Sequence, residues 1–216
     1  MERFKLDTAK DRPFRILCLG AHCDDIEIGC GGSILKMIGE NQNLSVFWVV
    51  FSSDEQRKEE AAKSASLFLK DAREKTVIIE DFRNSFFPYT GTVIKEYFES
   101  LKSFSPDLIF THYRHDLHQD HALISKLTWN TFRNHLILEY EIPKYDGDLS
   151  SPNCFFQLDE PIGLKKINYI MECFLSQKDK PWFTEDAFLA IMRIRGVESN
   201  SPEKFSEGFY CRKLIM

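Results

Sequence analysis

The sequence predicts a doubly wound α/β fold, a mostly parallel sheet with helices on both faces and extra strands toward the C-terminus. Three observations predict it. The runs RILCLGA (residues 15–21), SVFWVVFSS (45–53) and DLIFTH (107–112) are nearly continuous in apolar residues rather than alternating, as strands buried on both faces are. Longer stretches with helical spacing separate them. Polar, ionisable residues gather just beyond the ends of two of these runs, where open α/β sheets bind ligands.

Taken in order, the first strand (15–21) is followed by a helix over 33–41, SILKMIGEN, and a second strand over 45–53. A long helix over 54–72 comes next, with apolar positions 61, 62, 65, 68 and 69 on one face. TVIIED (76–81) is a strand, 92–104 a helix, and DLIFTH the fourth strand. A helix over 120–133 follows, for which Asp120 is a favourable first-turn residue. Beyond Arg133 the alternation loosens. Strands are expected at 136–142, 153–160 and 208–216, and helices at 163–177 and 184–196. RNSFFPYTG and PKYDGDLSSPN carry the turn-forming residues and read as loops.

A chain of 216 residues without repeat or linker fits a single domain over 1–216. The net charge of −5 gives no basic footprint for nucleic acid. No apolar run approaches the ~20 residues of a membrane span, and the N-terminal stretch lacks an export signal, so a cytoplasmic location is expected. The six cysteines, at 18, 23, 30, 154, 173 and 211, form no CxxC pair and read as reduced thiols.

Function is carried by two segments. GAHCDDIEIGCGG (20–32) places His22, Asp24 and Asp25 after the first strand, and HDLHQDH (115–121) places His115, Asp116, His118, Asp120 and His121 after the fourth. Both fall on the same edge of the predicted sheet. Two imidazoles and a carboxylate with one open position make a catalytic zinc arrangement. A further carboxylate beside it can serve as base, and adjacent aspartates point in different directions. Alone, Asp24-Asp25 reads equally as charge at a helix N-terminus. Four histidines and two aspartates within residues 112–121 are harder to ascribe to a solvated loop. The glycines of GCGG do not form Gly-x-Gly-x-x-Gly, so a dinucleotide site is disfavoured. Their expected role is close approach of a helix start to the sheet, with backbone amides facing the site.

These segments resemble the PIG-L/LmbE-like zinc N-deacetylases. AHCDDIEIGCGGSI is similar to that family's AHPDD segment, and HDLHQDH to its D-x-H-x-D-H signature. Weaker likeness continues through RKEEA, SPDLIFTH, EYEIP, Ser176-Gln177, Arg195-Gly196 and SEGF. The resemblance implies a Rossmann-like fold and removal of an acetyl or other acyl group from an N-acylated amino sugar or its conjugate. By position, His22, Asp25 and His121 would hold Zn2+ or another divalent ion. Asp24 would be the general base. His118 would stabilise the oxyanion or protonate the leaving amine, with Asp120 orienting its ring. Where the family has proline this chain has Cys23, read as a passive small residue, with a ligand or oxidation point as the alternative.

Arg57, Arg83 and Asn84 follow the second and third strands and are candidates for substrate contact. Phe86, Phe87 and Tyr89 would form either an apolar platform or loop packing. The expected partner is a small N-acylated amino sugar or conjugate, with self-association into a homo-oligomer possible. Two other functions compete: an amidase for a non-sugar N-acyl compound, and a catalytically impaired metal-binding protein.

Overall fold

In a computed structural model, described for residues 12–41 and 43–215, the chain forms one seven-stranded sheet. The export-signal reading concerns residues outside that range. The elements run β1 Phe14–Gly20, α1 Asp25–Glu40, β2 Leu44–Val50, α2 Glu55–Phe68, β3 Glu74–Ile79, α3 Gly91–Ser100, β4 Leu108–His112, α4 Gln119–Thr131, β5 Leu136–Tyr140, β6 Cys154–Leu158, α5 Glu160–Cys173, α6 Glu185–Glu198 and β7 Phe205–Cys211. Strand order is β3-β2-β1-β4-β5-β7-β6. The first five strands are parallel, and β7 and β6 join antiparallel.

The apolar runs of the inner strands are two-faced, as expected. Ile16 and Cys18 of β1 and Val46, Trp48 and Val50 of β2 point into one core, beneath α1, α2, α5 and α6. Leu17, Leu19 and Val49 point into the other, beneath α3 and α4. Chain order reverses beside β1, which pairs with β2 on one side and β4 on the other. The loops after β1 and β4 therefore open side by side.

Three expectations are corrected. The first helix begins at Asp25, not at residue 33. Its glycines lie inside it because they are the contact surface: a Cβ on Gly29 would stand 2.1 Å from the Tyr140 ring, and one on Gly31 2.6 Å from Phe68. Ala62 is exposed on α2, while Ala61, Ala65 and Phe68 are buried. The last strand is Phe205–Cys211, with Glu207 buried at its centre.

The interior of α1 carries an ion pair. Glu207 accepts hydrogen bonds from the amides of Gly32 (2.8 Å) and Ser33 (2.7 Å) and from Ser33 Oγ (2.6 Å). Lys166 of α5 donates to Glu207 and to the Ile28 carbonyl, both at 2.6 Å. An anion meets amides and a cation meets a carbonyl in mid-helix, the pattern usual at helix ends. The GGS amides thus do face a charge, but a structural one.

Candidate metal centre and cleft

His22 follows β1 in the turn into α1. The Asp25 carboxylate at the helix start accepts the His22 amide at 2.6 Å, which folds this turn back on itself. His118 caps α4: its Nδ1 accepts the Asp120 amide at 3.2 Å. One turn further, His121 points back toward β1.

His22 Nδ1 and His121 Nε2 lie 3.1 Å apart, and each lies 3.5 Å from Asp25 Oδ2. The opposite ring nitrogens each meet a carboxylate. His22 Nε2 is 3.2 Å from Asp120 Oδ2, and His121 Nδ1 is 2.9 Å from Asp116 Oδ2. Carboxylates on the outer nitrogens fix the ring tautomers, as second partners of metal-ligating histidines do. They leave two lone pairs and a carboxylate oxygen facing one another. That arrangement calls for a positive charge among them, which a proton on His22 supplies in the absence of a metal and a cation supplies in its presence. Four donors arranged tetrahedrally at ~2.0–2.2 Å from an ion stand ~3.3–3.6 Å apart, close to the separations found here. The residues therefore fit a divalent cation.

The titration of the pair follows the same geometry. Burial disfavours charge on His22, but hydrogen bonds to Asp120 and Asp25 outweigh it and raise its pKa to about 9. Burial and then His112 push His121 down to about 3. Burial opposes ionisation of Asp116, but the His121 hydrogen bond and the charges around it hold its pKa near about 2.

Asp24 stands beside this group. Arg57 Nη2 binds its Oδ1 at 2.8 Å, while Oδ2 is buried without a partner. Arg57 lines the cleft and holds Asp24, and its buried Nε is unpartnered. His118 carries its lone pair on Nδ1, so its other nitrogen holds the proton in the neutral ring. Burial, then the nearby His22, lowers its pKa and favours that neutral form.

Other expected residues fall differently. The Asp120 carboxylate does not orient the His118 ring. It serves His22 and is itself fixed by the amides of Ser85 (2.7 Å) and Phe87 (3.2 Å), so only its backbone touches His118. Arg83 is exposed, with its guanidinium 3.6 Å over the Phe86 ring, and does not line the cleft, whereas Asn84 does. Phe87 is buried in the core and Tyr89 points to solvent, so the expected platform is absent there. Cys23 is wholly buried with its Sγ 3.4 Å from the Ser52 carbonyl, and desolvation raises its pKa to about 12. It is a packed thiol, neither ligand nor reactive point.

Several residues carry more than the sequence reading gave them. His112 at the end of β4 accepts the Ala21 amide on Nε2 at 2.9 Å and stacks on His121 with ring centres 3.9 Å apart. Asp116 orients His121 and is bridged by Lys144 at 3.0 Å. The cleft measures about 260 Å3, and its outer wall is built from Lys144, Tyr145, Asp146, Lys180 and Trp182. His112 and Asp116 stood in quoted segments. The outer wall had no motif to reveal it, because it comes from two late, irregular loops.

A family model described as "PIG-L: GlcNAc-PI de-N-acetylase" matches residues 17–132. The chain belongs to this family. Membership makes this protein a de-N-acetylase, a hydrolase acting on amide bonds. Solved structures share its fold. N,N'-diacetylchitobiose deacetylase from Pyrococcus horikoshii, described with an inhibitor, is 22% identical, with 95% of this chain and 86% of that one covered and a TM-score of 0.71. GalB, the 4-carboxy-2-hydroxymuconate hydratase of Pseudomonas putida, is 15% identical, with 94% and 97% covered and a TM-score of 0.76. The teicoplanin deacetylase Orf2, described in a zinc-inhibited form, is 12% identical, with 91% and 97% covered and a TM-score of 0.65.

The weaker family-like segments of the chain meet other elements in space. Glu60 of RKEEA accepts from the Ser176 amide at 2.8 Å. Arg195 pairs with Glu141 of EYEIP at 2.6 Å. Glu207 of SEGF holds Gly32 and Ser33. These are scaffold contacts between early and late elements, and none of these residues lines the cleft. Among the described residues no helix is long and apolar enough to cross a membrane.

Proposed function

We propose that this protein removes the acetyl group from an N-acetylated amino sugar or sugar conjugate, with His22, Asp25 and His121 holding one divalent cation, zinc by preference. The observation that carries the reading is the meeting of two imidazole lone pairs and a carboxylate oxygen beside the free Oδ2 of Asp24. When bound, such a cation polarises the amide carbonyl and brings the pKa of a water in its open position toward ~7.

The chain's own residues do the rest. Asp24 Oδ2 takes the proton of the attacking water, and Arg57 fixes Oδ1 so that Oδ2 faces the cleft. His118, proton outward, donates to the oxygen that gains charge when the carbonyl carbon becomes tetrahedral. A well-placed donor of this kind contributes ~3–4 kcal/mol. The proton held by Asp24 then passes to the amine as the C–N bond breaks, leaving acetate. In this reading Asn84, which lines the cleft, meets a sugar hydroxyl. A cytosolic setting belongs to the same reading, since all six cysteines are free.

The test is acetate release from a panel of N-acetylhexosamines, with bound metal counted in parallel. Asp24→Asn is expected to keep its metal and lose at least ~100-fold in kcat. Full activity in that variant removes Asp24 as the base. A second reading comes from GalB: this fold also hosts a hydratase, so the panel includes an unsaturated carboxylate. Its hydration, with no acetate from any sugar, would favour that chemistry.

A further inference from the structure

The cleft is graded in depth. His22, Asp24, Asp25 and His121 are buried at its inner end, whereas Tyr145 (71% exposed) and Lys180 stand in solvent at the outer end. A substrate whose amide reaches the inner end must extend toward the outer wall.

Two aromatic side chains are held at that wall. Tyr145 and Trp182 come from different loops and meet edge to face, ring centres 6.5 Å apart at 88°. Each is exposed or half-exposed next to a buried anchor. Lys144 precedes Tyr145, its side chain buried, and is bound by Asp116 at 3.0 Å and Asp148 at 2.5 Å. Phe183 follows Trp182, is 1% exposed, and packs edge-on against Phe188. The rings are thus presented on fixed stems, although covering them would bury more apolar surface.

Polar groups alternate with the rings. Lys180 lies 5.5 Å from the Trp182 ring centre and has no ion-pair partner among the described residues. Asp146, Asn84 and Ser85 also line the cleft. An alkyl chain would need an unbroken apolar wall. A pyranose needs an aromatic surface for its C–H face and nearby donors and acceptors for its hydroxyls. The wall matches the second requirement.

We infer that Tyr145, Trp182 and Lys180 form a subsite for a second saccharide ring, so that the substrate is an N-acetylated amino sugar attached to a further sugar rather than the free monosaccharide. This rests on the deacetylase reading for the orientation of the substrate. Its test uses binding, which stays readable whether or not acetate is released.

The probes are glucosamine and the disaccharide of two glucosamines, which the metal-loaded enzyme cannot deacetylate. Calorimetric titration is expected to show the disaccharide binding about tenfold more tightly, the scale of one aromatic contact. Trp182→Ala and Tyr145→Ala should each shrink that ratio, while Trp182→Phe, which keeps a ring on the same stem, should preserve most of it. Equal affinity for the two sugars overturns the inference, as does an undiminished ratio in Trp182→Ala or failure of the folded protein to bind either sugar. Absence of acetate release from N-acetylated sugars, with the disaccharide preference intact, would count against the deacetylase reading and leave the subsite standing.

Discussion

At the scale of single residues, the proposed metal centre depends on where each lone pair is sent. Asp120 and Asp116 occupy the outer nitrogens of His22 and His121, so the inner ones face each other and Asp25, with ring nitrogens of His112 and His118 close by. Removing one donor leaves too few for a catalytic site. His121→Ala is therefore expected to lose the metal, read by elemental analysis after dialysis; unchanged stoichiometry would show that His121 is no ligand.

Glu27, two positions after Asp25, is a residue the mechanism does not use. It is fully buried near Ser64, and no charged partner compensates its carboxyl group among the described residues. Desolvation raises its pKa from 4.5 to about 8. Between those values the unfolded chain gives up this proton and the folded chain keeps it. Stability then falls with rising pH, by ~1.4 kcal/mol per unit. Below that window the proton is held in both states and the penalty vanishes. Glu27→Gln should accordingly gain stability over the parent as pH rises from about 5 to about 8. Denaturant midpoints measured with chelator present would show it, and a difference that does not vary with pH would contradict it.

At the scale of the element, α1 explains why its start was misplaced by sequence reasoning. GCGG resembles a boundary because glycine weakens helices. Here the loss is offset from outside: Tyr140, Phe68 and Leu158 occupy the space that side chains would fill, and Glu207 and Lys166 bind backbone groups of the helix. The ion pair is buried, so breaking it leaves an uncompensated charge. Glu207→Gln is expected to cost ~3–5 kcal/mol. Glu207→Gln combined with Lys166→Met should cost less than the sum of the single changes, a double-mutant cycle that thermal unfolding can read. Additive losses would mean that the two side chains do not act as a pair.

At the scale of the molecule, the half that holds the chemistry and the half that supports it are different stretches of chain. The proposed ligands and base lie in residues 22–121, inside the family match over 17–132. The core over α1 and α2 is closed by Ile167, Ile170, Phe188, Phe205 and Phe209 from later elements. A fragment ending at residue 142 would expose that face of the sheet and lose Glu207. It is expected to show no cooperative thermal transition, and a sharp melt by circular dichroism would refute the point.

The sequence by itself determined the alternation of strand and helix, the buried character of the inner strands, and the two polar segments at strand ends. Each is a local signal: apolar runs, helical period, and ionisable side chains where a core has no use for them. Tertiary structure decided what local signals do not carry. Whether Asp120 turns to His118 or to His22 depends on the amides of Ser85 and Phe87, from a loop 35 residues earlier in the first case. Arg57 became a partner of Asp24 because β1 and β2 are neighbours, which sets the start of α2 beside the turn after β1. The outer wall of the cleft exists only once loops after β5 and before α6 meet, since long-range packing, not pattern, sets which side chains face one another.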